Sequence, residues 1–357
     1  MTRSLRSAWF VAPLMALALM GQGCFGGGTQ TATGPDGGIF RTKDGGENWL
    51  QLKILNTGSK QASIQNVGIA SMAADPQDPK ALYAGTVENG IIYSLDGGDS
   101  WQPATGLTTG RINAIAVHPK DKCVVYAARA NQIMKTDNCS RDWMQIYFDP
   151  RTDKQFTTIV VDWFNPNAIY AGTSDGDIVK SENGGSAWRV IHRVDGIRIN
   201  QLAMDPRDSR IIFGATDRNG LVKTTDGGQS WTQIRQELDA FEGARRANIV
   251  VIDPSVANRI YTVSRYGILQ SDDLGSTWTG LKLPTPPGTV DMKAFAVNPR
   301  NARMLVYATD KAVIWSEDGG NTWTPKKLPT SRGAAALIYD TAASNPALFL
   351  GALPPKN

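Results

Sequence analysis

The chain has 357 residues, 41% hydrophobic and 20% charged, with a formal net charge of +4. Arg3 and Arg6 lie in an N-terminal export pattern, so the remainder is near +2, too little for a protein that coats nucleic acid. Three cysteines and two well-separated histidines, His118 and His192, give no metal-ligand or nucleophile spacing, and neither a cofactor signature nor a nucleic-acid motif is found.

Residues 1–24, MTRSLRSAWFVAPLMALALMGQGC, place two arginines before an apolar run from Ala8 to Met20 and end in small residues. This is a secretory signal pattern, too short and wrongly flanked for a membrane span. Cys24 with the Gly-rich stretch 25–37 behind it resembles the lipidated cysteine and tether of a bacterial lipoprotein, although Gly21-Gln22-Gly23 departs from the lipobox, which prefers leucine three residues before the cysteine. The expectation is an exported protein on the periplasmic or cell-surface side, held to the membrane by its N-terminal lipid only. An ordinary cleaved signal, with Cys24 a bystander, would instead give a secreted protein.

From residue 38 the chain runs into GGIFRTKDGGENW, which ends at Trp49 and has the form of two strands joined by a tight turn. Its core, a hydroxyl residue, Asp44, Gly45, Gly46 and Trp49, recurs six times. Asp96 with Trp101, Asp226 with Trp231, Asp273 with Trp278 and Asp318 with Trp323 are full copies. Asn138 with Trp143 and Asn183 with Trp188 are worn. Successive tryptophans are 42 to 52 residues apart, a period that fits about four short strands per unit.

About 18 residues before each later Trp lies a β-rich run such as ALYAGT, AIYAGT or IIFGAT. Upstream of it a second apolar run closes on a turn such as DPQDP or DPRDS, where proline fixes φ and removes a ladder donor. Each unit therefore reads as strands A, B, C and D, with the repeated nonapeptide turning C into D. Cys123 opens strand B of one unit and Cys139 sits in its worn turn, equidistant from Asn131, so the two face each other across a hairpin. A disulfide is expected; two free buried thiols are the alternative.

The first unit supplies only strands C and D, and the last stretch, AAALIYDTAASNPALFLGAL, only A and B. Joined, they complete a seventh blade and remove the edges of an open array. The expectation is an all-β, single seven-bladed β-propeller of four-stranded antiparallel blades over residues 38–354.

The pattern Ser/Thr-x-Asp-x-Gly-x-Ser/Thr-Trp resembles the Asp-box, or BNR, repeat. The chain is similar across 38–353 to the propellers of sortilin-type receptors, photosystem II assembly factors and xyloglucanases. The resemblance implies the fold, and it does not by itself make this a photosynthetic protein. It implies that the boxes, with Asp44, Asp96, Asn138, Asn183, Asp226, Asp273 and Asp318 and their tryptophans, are structural turns on the bottom rim. A calcium or carbohydrate role for them is the lesser reading, disfavoured by the two asparagines. It also implies that ligands meet the top face, formed by the D-to-A and B-to-C loops.

Arg111, Arg198 and Arg246 fall at equivalent places before strand A, with Arg245, Lys293 and Arg332 near the same level. Such a ring would attract an acidic peptide or another polyanion. The alternative is solvated strand ends with local acidic partners among Asp195, Asp239, Glu242 and Asp291. Sialidases share Asp boxes but resemble six-bladed rings, and xyloglucanases use a cleft between two propellers. The loop acids Asp149, Asp153, Asp162, Asp195 and Asp291 form no catalytic pair that the sequence singles out. The reading is a monomeric scaffold or assembly factor for an envelope complex, binding a protein or peptide. A glycan-binding or glycoside hydrolase-like propeller is the alternative.

Overall fold

The structure, a computed structural model, describes residues 36–58, 60–342 and 344–355. The signal pattern, Cys24 and residues 25–35 lie outside the described residues. In blade 1, strands A to D are Ile69–Ala74, Leu82–Thr86, Ile91–Ser94 and Ser100–Pro103, paired antiparallel in that order. Strand B is buried at all five positions because neighbouring blades cover both its faces, so LYAGT runs apolar and small without alternation. Blades 2 to 6 repeat the plan from innermost strands Ala114–Val117, Phe156–Val161, Ile199–Met204, Ala247–Ile252 and Ala294–Val297. In blade 7, Ile39–Thr42 from the start of the ring lies between Leu50–Leu52 and Leu348–Ala352, with Ala334–Tyr339 innermost. The fold is the seven-bladed propeller, closed by its own two ends.

The longest interval, between Trp49 and Trp101, holds an addition that the repeat does not announce. Ile54–Asn56 runs parallel to strand D of blade 1, and Gln61–Ser63 pairs outside it, so this blade becomes a six-stranded sheet. Three-residue strands carry too little periodicity to be read from sequence.

The seven boxes share one hydrogen-bond scheme. In the first, the Thr42 hydroxyl donates to Asp44 and accepts from the Gly46 N–H, while Asp44 accepts from the N–H and side-chain amide of Asn48. The worn box of blade 2 inverts one of these bonds, with the Asn138 amide donating to Asp142. Its two glycine positions are taken by Cys139 and Ser140, at φ 61° and 64°, and Cys139 is bonded to Cys123 in a disulfide. Gly46 stands at φ 85°, and a Cβ there would come within 2.7 Å of Trp315 in the preceding blade. The box is therefore also a packing surface between blades.

The Asn48 N–H and amide, helped by Thr42, hold Asp44 at a pKa of about 2; the Thr277 hydroxyl and N–H do the same for Asp273, as do those of Thr322 for Asp318. Folded values below the ordinary 3.8 mean that these bonds contribute stability above about pH 4 and lose it as pH falls through about 2. The thermal midpoint is accordingly expected to fall steadily from pH 4 to pH 2. A flat midpoint across that window, measured by circular dichroism, would contradict the scheme.

Side chains also tie blade to blade. Arg41 donates to the Gly97 carbonyl, Lys135 to that of Gly184, Lys180 to that of Gly227, and Lys326 to that of Gly45, each crossing one seam into a box. Near the channel, Ser71, Asn113, Thr157 and Asn200 donate to the carbonyls of Ile112, Phe156, Ile199 and Ala247 of the next blade. His118, in the strand A-to-B turn of blade 2, accepts from the Lys120 N–H as Asp75 does from Gln77 in blade 1, so its role there is to close a turn.

Candidate functional site

The innermost strands of all seven blades enclose a channel of about 350 Å³ whose wall is mixed, with Thr157, Asn200, Gln201, Asn248 and Lys293 among apolar residues. At its top mouth the six expected cations divide into two groups. Arg245 is paired with Asp239 and Lys293 with Asp291. Arg332 is paired with Asp36 at 3.0 Å and also donates to Asn66, with its side chain only 10% exposed. Asp36 further accepts from the Ser331 N–H and hydroxyl, so a residue assigned above to the tether is fixed to the ring. Among the described residues Arg111, Arg198 and Arg246 have no acidic partner within ion-pair distance. Lys293 also lies two places deeper than expected: its N–H bonds to the Ala308 carbonyl as that of Asn113 does to Ala128, which leaves the acid Asp291 level with Arg111.

Reduced solvation among the strand ends lowers the pKa of Arg198, with Asp217 raising it and Arg111 lowering it further. Arg111 and Arg198, two blades apart, thus share one electrostatic neighbourhood at the mouth.

Sequence reasoning missed the densest charge cluster, on top of blade 3. Lys154 is bonded to Asp177 at 2.8 Å and to Asp149 at 3.0 Å, Arg151 reaches Asp149 and Asp175, and Arg193 holds Asp177 at 2.5 Å. Hydrogen bonds from Arg151, ahead of burial, keep Asp149 well below the carboxylate range. Burial opposes the charge on Asp177, but Arg193 and Lys154 overcome it. Both shifts run opposite to what a general acid needs. Asp162 is not a top-face acid at all; it caps the bottom turn through the N–H groups of Phe164 and Asn165. Asp195 and Asp153 are exposed, Asp195 standing 4.0 Å from Arg193. His192 stacks on Trp231, and burial lowers its pKa. Among the described residues no cluster of three or more His, Cys, Asp or Glu is placed to hold a metal, and no helix is long and apolar enough to cross a membrane.

A closed ring of seven blades built on four antiparallel strands, each turned by the same box, defines an Asp-box propeller. The family model described as photosynthesis system II assembly factor YCF48 matches residues 24–216, more than half of the chain, and the chain belongs to that family. The photosystem II assembly lipoprotein Ycf48 of a Picosynechococcus strain is 26% identical in an alignment of 171 residues that covers 44% of this chain and 46% of that protein. A Paenibacillus xyloglucanase is 25% identical in an alignment of 196 residues that covers 43% of this chain and 19% of the enzyme. The chain thus spans less than half the length of the curated relatives it matches. Among solved structures, YCF48 bound to D1 peptide is similar with a TM-score of 0.61 at 16% identity, covering 80% of this chain and 94% of that one. A Niastella koreensis GH74 enzyme gives 0.64 at 17% identity, covering 80% and 51%. At such identities these two likenesses concern the fold.

Proposed function

We propose that this family member is an exported, lipid-anchored, non-catalytic propeller whose top face binds an acidic segment of a protein partner and so serves assembly of a membrane complex. One observation carries the reading: Arg111, Arg198 and Arg246 stand around the channel mouth without acidic partners, while neighbouring cations are neutralised internally. Guanidinium groups left unpaired at a concave mouth favour carboxylates in forked geometry. Family membership and the D1 peptide on a structurally similar protein support the same direction. The N-terminal pattern supports export and anchoring through Cys24, which labelling with radioactive palmitate would test.

The Arg111→Ala/Arg198→Ala/Arg246→Ala variant is expected to fold normally and to bind acidic peptides at least tenfold more weakly, since each lost charge-assisted contact is worth on the order of 1.5–3 kcal/mol. Fluorescence anisotropy at two salt concentrations checks this; unchanged affinity would remove the top-face site. A second reading, glycan binding or hydrolysis, is favoured by the partial match to xyloglucanases. Release of reducing sugar by the pure protein, abolished by changing one top-face carboxylate, would put that reading first.

A further inference from the structure

The seams between blades are not equivalent. Among the described residues six of the seven are crossed by side-chain hydrogen bonds, through residues such as Thr341, Ser71, Asn113, Tyr170, Arg207 and Lys326. Among the described residues no side-chain hydrogen bond or ion pair spans from the strands of blade 5 to those of blade 6. Apolar contact holds this seam, with Tyr261 against Phe295 at 5.4 Å between ring centres and Leu281 and Leu283 in the same cluster. The polar neighbour of the Tyr261 hydroxyl is Arg259 of its own blade, and among the described residues it makes no bond across the seam, whereas the equivalent Tyr170 bonds across its seam to Gly227. Strand D of blade 5 is correspondingly short, Thr279–Gly280, and a proline-rich loop, residues 281–293, leads into blade 6.

Two hollows form against the loop that crosses this seam, one between the loop and blade 6 and the other between the loop and blade 5, and they share Thr289, Val290 and Asp291 as their common wall. One, of about 460 Å³, is predominantly apolar and is walled by Pro284, Val290, Tyr307, Ile314 and Pro325, with Lys311 beside them. The other, of about 470 Å³, is polar and contains Arg246, Arg265 and Asn248, with the acid Asp217 of blade 4 also in its wall. Among the described residues neither arginine side chain has an ion pair or hydrogen bond. Cations beside an apolar slot, at a joint without polar cross-links that would have to break on widening, match one kind of occupant.

We infer that the blade 5–blade 6 seam is an anchoring slot for a peptide segment of a partner protein, taking an apolar side chain between Val290, Tyr307 and Ile314 while an adjacent carboxylate meets Arg246 and Arg265. The inference rests on the top-face reading proposed above and adds to it a specificity for the residue beside the acid. Apolar burial gives affinity at a site where the carboxylate gives orientation.

The test uses the full chain and two fluorescein-labelled acidic octapeptides that differ only in a central leucine or serine. Wild type is expected to bind the leucine peptide about tenfold or more tightly than the serine peptide, the gain of burying one leucine. Ala312→Trp, which fills the slot, erases that preference with an unchanged melting curve, and Ala312→Leu serves if the larger residue disturbs folding. Arg111→Ala/Arg198→Ala weakens both peptides while leaving the preference intact. Equal binding of the two peptides to wild type, or a preference that survives both Ala312 variants, overturns the slot and spares the top-face reading. Binding of neither peptide overturns both. A xyloglucan oligosaccharide whose binding is lost in Ala312→Trp would overturn the peptide as occupant.

Discussion

Replacing Lys154 by methionine is expected to destabilise the ring by about 3–5 kcal/mol, the range for removing one partner of a buried charge network. The Lys154 side chain is 2% exposed and that of Asp177 1%, so neither charge has water to fall back on. Without the ammonium group, Asp149 and Asp177 keep Arg151 and Arg193, which are half exposed and therefore screened by water. The loss should appear in urea unfolding as a lower midpoint with little change in slope. A second change, Asp177→Asn, is expected to recover part of it by removing the stranded negative charge. The penalty should also narrow as pH falls, because protonation removes the same charge. A loss below about 1 kcal/mol would mean that the two arginines suffice. The cluster joins the linker before blade 3, the strand B-to-C turn and the end of strand D, so top-face loops are expected to loosen with it.

A chain beginning after Thr42 is expected not to form the ring. Residues Ile39–Thr42 pair with Leu50–Leu52 on one side and with Leu348–Ala352 on the other, so their removal strips both neighbours of hydrogen bonds. Ile39 and Phe40 leave two adjacent core clusters, and burying such side chains contributes roughly 1.5–3 kcal/mol each. The removed segment also carries Asp36, which bonds Arg332 and Ser331, and Arg41, which bonds Gly97 of blade 1. Exposed edges of this kind recruit other chains. Size-exclusion chromatography should therefore find aggregate rather than monomer. A monomer with a cooperative melt near that of the full chain would refute closure by this strand.

How much was legible depended on the distance over which each feature is encoded. Every box bond runs between residues at most four positions apart, from Thr42 to Gly46 and from Asp44 to Asn48, so nine letters suffice to recognise the turn. The Lys154 cluster joins residues 23 positions apart through loops with no shared motif, and nothing in the sequence around Lys154 or Asp177 marks them as neighbours. Arg332 looked like its neighbours in the sequence, yet Asp36, 296 positions away, neutralises it.

The sequence by itself determined the blade count, the strand plan and the joining of the two ends, because these follow from short-range turn chemistry repeated at a fixed period. Only the tertiary structure decided which cations stay free at the channel mouth, where Lys154 sits, and which seam lacks polar ties. Those outcomes depend on how strand register and loop paths bring side chains from different blades within a few ångströms, and electrostatic pairing acts on that distance rather than on separation along the chain.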